Sequence, residues 1–330
     1  MNYAQRSHKR IAKISWKRWL RAASLLLLLL IISACGGGDG LLAGGGIGGT
    51  GITSSGPITA FGSIWVNGVE YDVAGADISV NGIPATEVEL TRGMIVLVRG
   101  SINDDGISGS ASSVTYNSNI AGTVTAVDIA NNTLTVLGQT VTWDSETFGD
   151  DNEPGAWAVP AVGDFIEISA LPSLNGWLAR AINHHDQSEG NEISGEVESL
   201  NIQNHTFMVG GLEIRYQGQV DLQEGDFVEI KGTVNGNVMM ASKIEIHTPE
   251  LAGDNEDMEV EGIVSEYDGS SKALVLMASG GHYQIEANGA VFEHGNESDL
   301  LPGARVEVSG YVQDGLFFAE KIEIKGQGQD

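Results

Sequence analysis

Four times along the chain, a glycine opens a run of alternating apolar and polar residues that a small residue closes seven positions later. The runs are Gly93-Met-Ile-Val-Leu-Val-Arg-Gly100, Gly163-Asp-Phe-Ile-Glu-Ile-Ser-Ala170, Gly225-Asp-Phe-Val-Glu-Ile-Lys-Gly232 and Gly303-Ala-Arg-Val-Glu-Val-Ser-Gly310. Their in-phase apolar pairs are Val96/Val98, Ile166/Ile168, Val228/Ile230 and Val306/Val308. A period of two predicts a strand with one buried and one wet face. Glu167, Glu229 and Glu307 occupy the intervening positions and are expected on the wet face.

Each run leads through a turn to a second strand opened by alanine, at Ala111, Ala179, Ala241 and Ala319. The turns carry Asn103-Asp-Asp-Gly106, Asn175-Gly176, Asn235-Gly236 and Asp314-Gly315, which are hairpin dipeptides or their extension. A meander of three strands is predicted ahead of each hairpin: 120–128, 133–137 and 140–143 in the second unit, 193–200, 206–209 and 212–216 in the third, and 260–267, 273–277 and 282–285 in the fourth. The first unit reads as 58–66 and 69–73 around Asn67-Gly68, with 78–80 as its third strand.

Five short strands in about 60 residues bury little as an open sheet, whereas closure removes the exposed edges. The predicted fold is therefore all-β, with four tandem small OB-like five-stranded barrels. The units are placed at 57–117, 118–186, 192–247 and 258–326, with polar linkers over 185–191 and 248–257. Ahead of them come a leader over 1–34 and a glycine-rich tether over 35–56.

Gly62-Ser63-Ile64-Trp65-Val66-Asn67-Gly68-Val69, the Gly-x-x-Val-x-Val-x-Gly strand and the glycine-rich lead-in resemble an uncharacterised bacterial repeat family. That family occurs in predicted lipoproteins and secreted proteins and is catalogued only as a domain of unknown function. The resemblance covers most of residues 50–325 and is expected to be strongest in the first unit, while the third lacks the long loop before its Gly225 strand. It implies an OB-like β-fold and an envelope location, and it carries no activity or functional residues to transfer.

The first 34 residues differ in kind from the rest. They hold Arg6, Lys9, Arg10, Lys13, Lys17, Arg18 and Arg21 and no acidic residue, followed by an unbroken apolar run over 25–32. This is the basic and short apolar pattern of a secretory signal, and the apolar stretch is too short to span roughly 30 Å of hydrocarbon. Ile32-Ser33-Ala34-Cys35 resembles the bacterial lipobox, which implies lipidation of Cys35. Cys35 is the only cysteine, so the chain has no internal disulfide framework. Gly36 follows it where an inner-membrane retention signal would place Asp, and by that analogy the expected location is the outer membrane of a Gram-negative bacterium. From Gly36 to Gly56, 11 of 21 residues are glycine, the composition of a flexible spacer.

The chain has 17 basic and 44 acidic residues; losing the seven basic residues of the leader leaves 10 against 44, a net charge near −34. Nucleic-acid binding needs phosphates neutralised by Lys and Arg, and that class is excluded. No metal or cofactor set is predicted; the nearest approaches to one are Asp150, Asp151, Glu153 and His184. His184 and His185 are expected on opposite faces of a strand end and so not to share an ion. The acidic loops 144–153 and 254–257 offer oxygens suited to calcium but match no EF-hand. Trp143, Trp157 and Trp177 are expected in core and rim packing rather than as a sugar platform. No serine lies in a nucleophile-elbow turn, and a hydrolase is not expected. The reading is a non-enzymatic envelope lipoprotein, held in membrane lipid through Cys35, that binds or assembles with an envelope protein or glycan. Its alternative is a cation- or small-ligand-binding accessory protein using the acidic loops.

Overall fold

The computed structural model describes residues 51–150, 157–187 and 190–325. Among them the regular structure is nearly all strand, with no α-helix. The first barrel contains β1 (Gly51–Ala60), β2 (Ile64–Val66), β3 (Val69–Asp72), β6 (Ile95–Ile102) and β7 (Ser108–Tyr116), and a small hairpin of β4 (Asp77–Val80) and β5 (Ile83–Ala85) hangs on β7. The second comprises β8 (Ile120–Asp128), β9 (Thr133–Val136), β10 (Gln139–Thr142), β11 (Phe165–Ser173) and β12 (Gly176–His184). The third has β13 (Asn191–Glu196), β14 (Glu198–Asn201), β15 (Thr206–Val209), β16 (Leu212–Arg215), β17 (Phe227–Asn235) and β18 (Val238–His247), with β13 and β14 as two halves of one bent strand. The fourth has β19 (Asp257–Asp268), β20 (Ala273–Ala278), β21 (Gly281–Glu286), β23 (Arg305–Gln313) and β24 (Leu316–Ile324), with a short β22 (Val291–Glu293) beside β24.

All four repeat one topology. Three strands meander, the third pairs in parallel with the fifth, and the fourth closes the barrel against the first. This is the OB arrangement. The turns Asn67-Gly68 and Asp314-Gly315 have positive φ at both central residues, the twist that two-residue hairpins require. The apolar pairs read from the alternating runs all point inward and are buried. Trp143 and Trp177 are buried in the second barrel's core, and Trp157 packs edge-on against Trp143 with ring centroids 5.8 Å apart.

The barrels are not beads on a string. β1 pairs in parallel with β19, so the first and fourth share one sheet; β8 pairs with β13, so the second and third share another. The first of these joints corrects the tether. Residues 51–56, expected as the end of a flexible spacer, form the first half of β1, bonded to β6 on one edge and β19 on the other. Thr53, Ser54 and Ser55 are buried there. Their small side chains, with glycine at Gly51 and Gly56, let two sheets' worth of backbone close on one strand. Residues 78–80, expected as the third strand of the first barrel, belong instead to β4 outside the ring, and Val69–Asp72 takes that place.

The wet face of the fourth strands is the larger correction. Glu167, Glu229 and Glu307 are 5%, 7% and 3% exposed, because other residues of the assembly cover that face. Ile95, Leu171, Ile263 and Met277, drawn from three barrels, form a separate apolar cluster between them.

Gly93 lies at one such seam with φ +82°, and a Cβ there would meet the Arg180 carbonyl oxygen of the second barrel. Gly225 holds the same repeat position with φ +86° and open space around it. Gly225→Ala is expected to cost only backbone strain, about 1–3 kcal/mol, whereas Gly93→Ala adds an overpacking cost of about 1–3 kcal/mol. Urea unfolding of both variants measures the difference; equal losses would mean the seam contributes nothing.

Candidate binding site at the junction of the barrels

The repeat register sets a chemical pattern on the covered face. Glu167, Glu229 and Glu307 each sit opposite a residue of the fifth strand, namely Asn183, Glu245 and Glu323. Two residues further, on the same face, come His185, His247 and Lys325, each 18 positions after its glutamate. His185 Nε2 lies 3.8 Å from Glu167, His247 Nε2 lies 3.4 Å from Glu229, and Lys325 Nζ lies 2.9 Å from Glu307. A buried carboxylate is costly unless paired, and each repeat supplies its own nitrogen-bearing partner, a histidine in two and a lysine in one. The first barrel has Leu97 and Asn117 at these places and needs none.

Neighbouring barrels complete the pairing. Tyr116 Oη of the first barrel donates to Glu167 Oε1 at 3.1 Å, and Asn81 Nδ2 donates to Glu167 Oε2 at 3.0 Å. Arg305 of the fourth barrel and Arg180 of the second, both buried, converge on Glu146 Oε2 at 2.6 and 2.8 Å. Burial works to raise the Glu146 pKa, but the two guanidiniums outweigh it and hold it below the usual range.

A small cleft of about 100 Å³ lies where the four barrels meet. Ser55 and Thr115 of the first barrel, Asn119 of the second, Glu229 and His247 of the third and Tyr283 of the fourth all line it. Its charged wall belongs to the third barrel. Glu192, 6% exposed on β13, stands against Glu229, and its Oε2 lies 3.1 Å from Lys231 Nζ. Burial first, and then the Glu229 carboxylate, push Glu192 up to about 7. Burial also acts to raise Glu229, but His247 and Lys231 together hold it low. The hydrogen bond to Glu229 is the main cause that raises His247.

Of the residues singled out from sequence, His184 and Asp150 are brought together. His184 Nδ1 lies 2.5 Å from Asp150 and Nε2 lies 3.3 Å from Asp164, so both ring nitrogens face carboxylates, and the Asp150 bond chiefly raises its pKa. That is a clamp for an imidazolium, which offers no lone pair to an ion. His185 faces Glu167 on the other side of the strand. Asp151, Glu153 and Cys35 lie outside the described residues. Asp144 is tied to Arg180, Asp254 accepts from the Gly315 amide, and Glu256 accepts from the Gly253 amide. Glu192, Glu229, Glu245 and His247 were not grouped from sequence; the recurring offset of 18 residues was the signal that pairs a glutamate with its cation.

The raised groups set a pH dependence. Glu192 keeps its proton in the folded protein to about pH 7, against an ordinary 4.5, so the unfolded state binds fewer protons between those values and stability falls as pH rises through them. His247 acts in the same sense: its contribution is full below 6.5 and is lost as pH passes its raised folded value. The melting temperature is expected to be higher at pH 5 than at pH 8, and Glu192→Gln to narrow that gap by about 2–4 °C. An unchanged gap in the variant would remove Glu192 from the account.

A family model described as Domain of unknown function (DUF5666) matches residues 121–183, 194–245 and 261–323, together more than half of the chain. The matches fall on the second, third and fourth barrels. The first barrel, where the resemblance was expected to be strongest, lies outside them, and it is the one that lacks the buried glutamate. No curated protein matches the chain. Among solved structures, a multidomain protein with nucleic acid binding domains from Streptococcus pneumoniae TIGR4 is similar at 14% identity over 64% of this chain and 74% of that one, with a TM-score of 0.15. At that score the likeness carries no argument. The three matched repeats make this chain a member of the DUF5666 family of unknown function.

Proposed function

We propose that the protein is a cell-envelope lipoprotein, attached through Cys35, whose four-barrel body is a non-enzymatic binding or assembly module. The observation that carries the binding reading is the cleft, to which every barrel contributes side chains. Shared sheets and buried ion pairs hold its walls, so a partner meets a preformed surface and the site loses little freedom on binding. The polar lining suits an envelope protein or glycan, and the net charge near −34 after leader removal disfavours a polyanion. The basic leader, the short apolar run and Cys35 after Ile32-Ser33-Ala34 support attachment, and Gly36 supports the outer membrane. Ligand binding through the acidic loops is the less favoured reading, because Asp144, Glu146 and Glu256 are already engaged by protein groups.

Metabolic labelling with a palmitate analogue, followed by membrane fractionation, tests the attachment. Wild type is expected to take the label and sediment with outer membranes, and Cys35→Ala to do neither. Absence of label on wild type, or label that survives the substitution, would count against it.

A further inference from the structure

The third barrel brings two carboxylates and an imidazole together, each of the carboxylates also paired with a lysine. Among the described residues, Glu229, Glu245 and His247 each offer a ligand atom within 4.8 Å of the other two. The hairpin of β17 and β18 holds them on one face: Glu229 and Glu245 are direct cross-strand partners, and His247 follows two residues after Glu245. We propose that these three residues form a divalent-cation site at the wall of the central cleft, of the nitrogen-and-oxygen class that takes zinc.

An unsatisfied buried atom beside the set points to the same place. Glu192 abuts Glu229, and its Oε1 is buried with no hydrogen-bond partner. His247 Nε2 has Glu229 as its neighbour at the long distance of 3.4 Å. A buried polar atom without a partner calls for an explanation, and an ion or its bound water at this wall would supply one for Glu192. Lys231 remains on Glu192 as the inner counter-charge. Glu245 is half exposed and also pairs with Lys243 at the surface.

The other barrels are built-in controls. At the same three places the second has Glu167, Asn183 and His185, one carboxylate short. The fourth has Glu307, Glu323 and Lys325, where a permanent cation stands in place of the imidazole. The first has Leu97, Thr115 and Asn117. Only the third combines two carboxylates with a neutralisable nitrogen. One imidazole among oxygens selects zinc or a similar transition ion over calcium and magnesium, which prefer oxygen alone.

The site does not depend on the lipid anchor, so it is tested on the full chain carrying Cys35→Ala, which removes the thiol as a competing ligand. Calorimetric titration with zinc chloride is expected to show one saturable site that millimolar calcium does not displace. His247→Ala and Glu245→Gln are each expected to weaken it by roughly tenfold or more, while His185→Ala leaves it unchanged. Because Glu245 is at the surface, Glu245→Gln keeps the fold, and circular dichroism confirms this before titration. The proposal is overturned by absence of saturable zinc binding, by full affinity in both His247→Ala and Glu245→Gln, or by loss of binding in His185→Ala alone.

Discussion

A glutamate turned outward from a small barrel can be covered by another barrel only if a cation, a proton or a set of donors is buried with it. Desolvating a lone carboxylate costs several kcal/mol even after relaxation. In this protein that constraint is met three times in the same way. His185, His247 and Lys325 stand beside Glu167, Glu229 and Glu307 at one fixed offset in the repeat. With each carboxylate given a partner locally, the outer face of each sheet becomes a surface on which other parts of the chain can pack. Tyr116 and Asn81 then add the donors that complete Glu167.

The second requirement concerns edges. A small barrel closed by five strands still has strand ends that run past the ring, and those ends are open to pairing. β1 and β19 join in parallel, and β8 and β13 join antiparallel, so two composite sheets replace four separate barrels. The order is not that of the chain: first joins fourth and second joins third. Arg180 and Arg305 meeting on Glu146 bind one composite to the other, with the Ile95, Leu171, Ile263 and Met277 cluster excluding water beside them. The central cleft is what this packing leaves open, and its rigidity follows from the two joints.

The third barrel departs from its siblings within this frame. Its hairpin of β17 and β18 is the least covered: Met240, Lys243 and Glu245 reach solvent, while the corresponding Leu178, Ala181 and Asn183 of the second barrel are buried or partly so. The same backbone therefore carries a structural ion pair in one repeat and an open set of ligands in another. Duplication provides the scaffold, and coverage by neighbours decides what chemistry each copy retains.

Alternation of apolar and polar residues, with Asn67-Gly68 and Asp314-Gly315 between strands, was enough to read the repeats, the hairpins and closed five-stranded units. Those features depend on backbone geometry among residues close in sequence, and a local pattern records them. The same pattern identifies a face that is not core without saying what lies against it, since a glutamate for water and a glutamate for a buried ion pair are spelled alike. Residues 51–56 were misread for a related reason: glycine and serine serve a spacer and a strand squeezed between two others equally well. The sequence by itself determined the barrel and its repetition. Only the tertiary structure decided which barrels share sheets, which carboxylates are buried, and that Glu229 and His247 face the cleft with Glu192 and Glu245 beside them, because those outcomes rest on long-range complementarity between surfaces that no local period encodes.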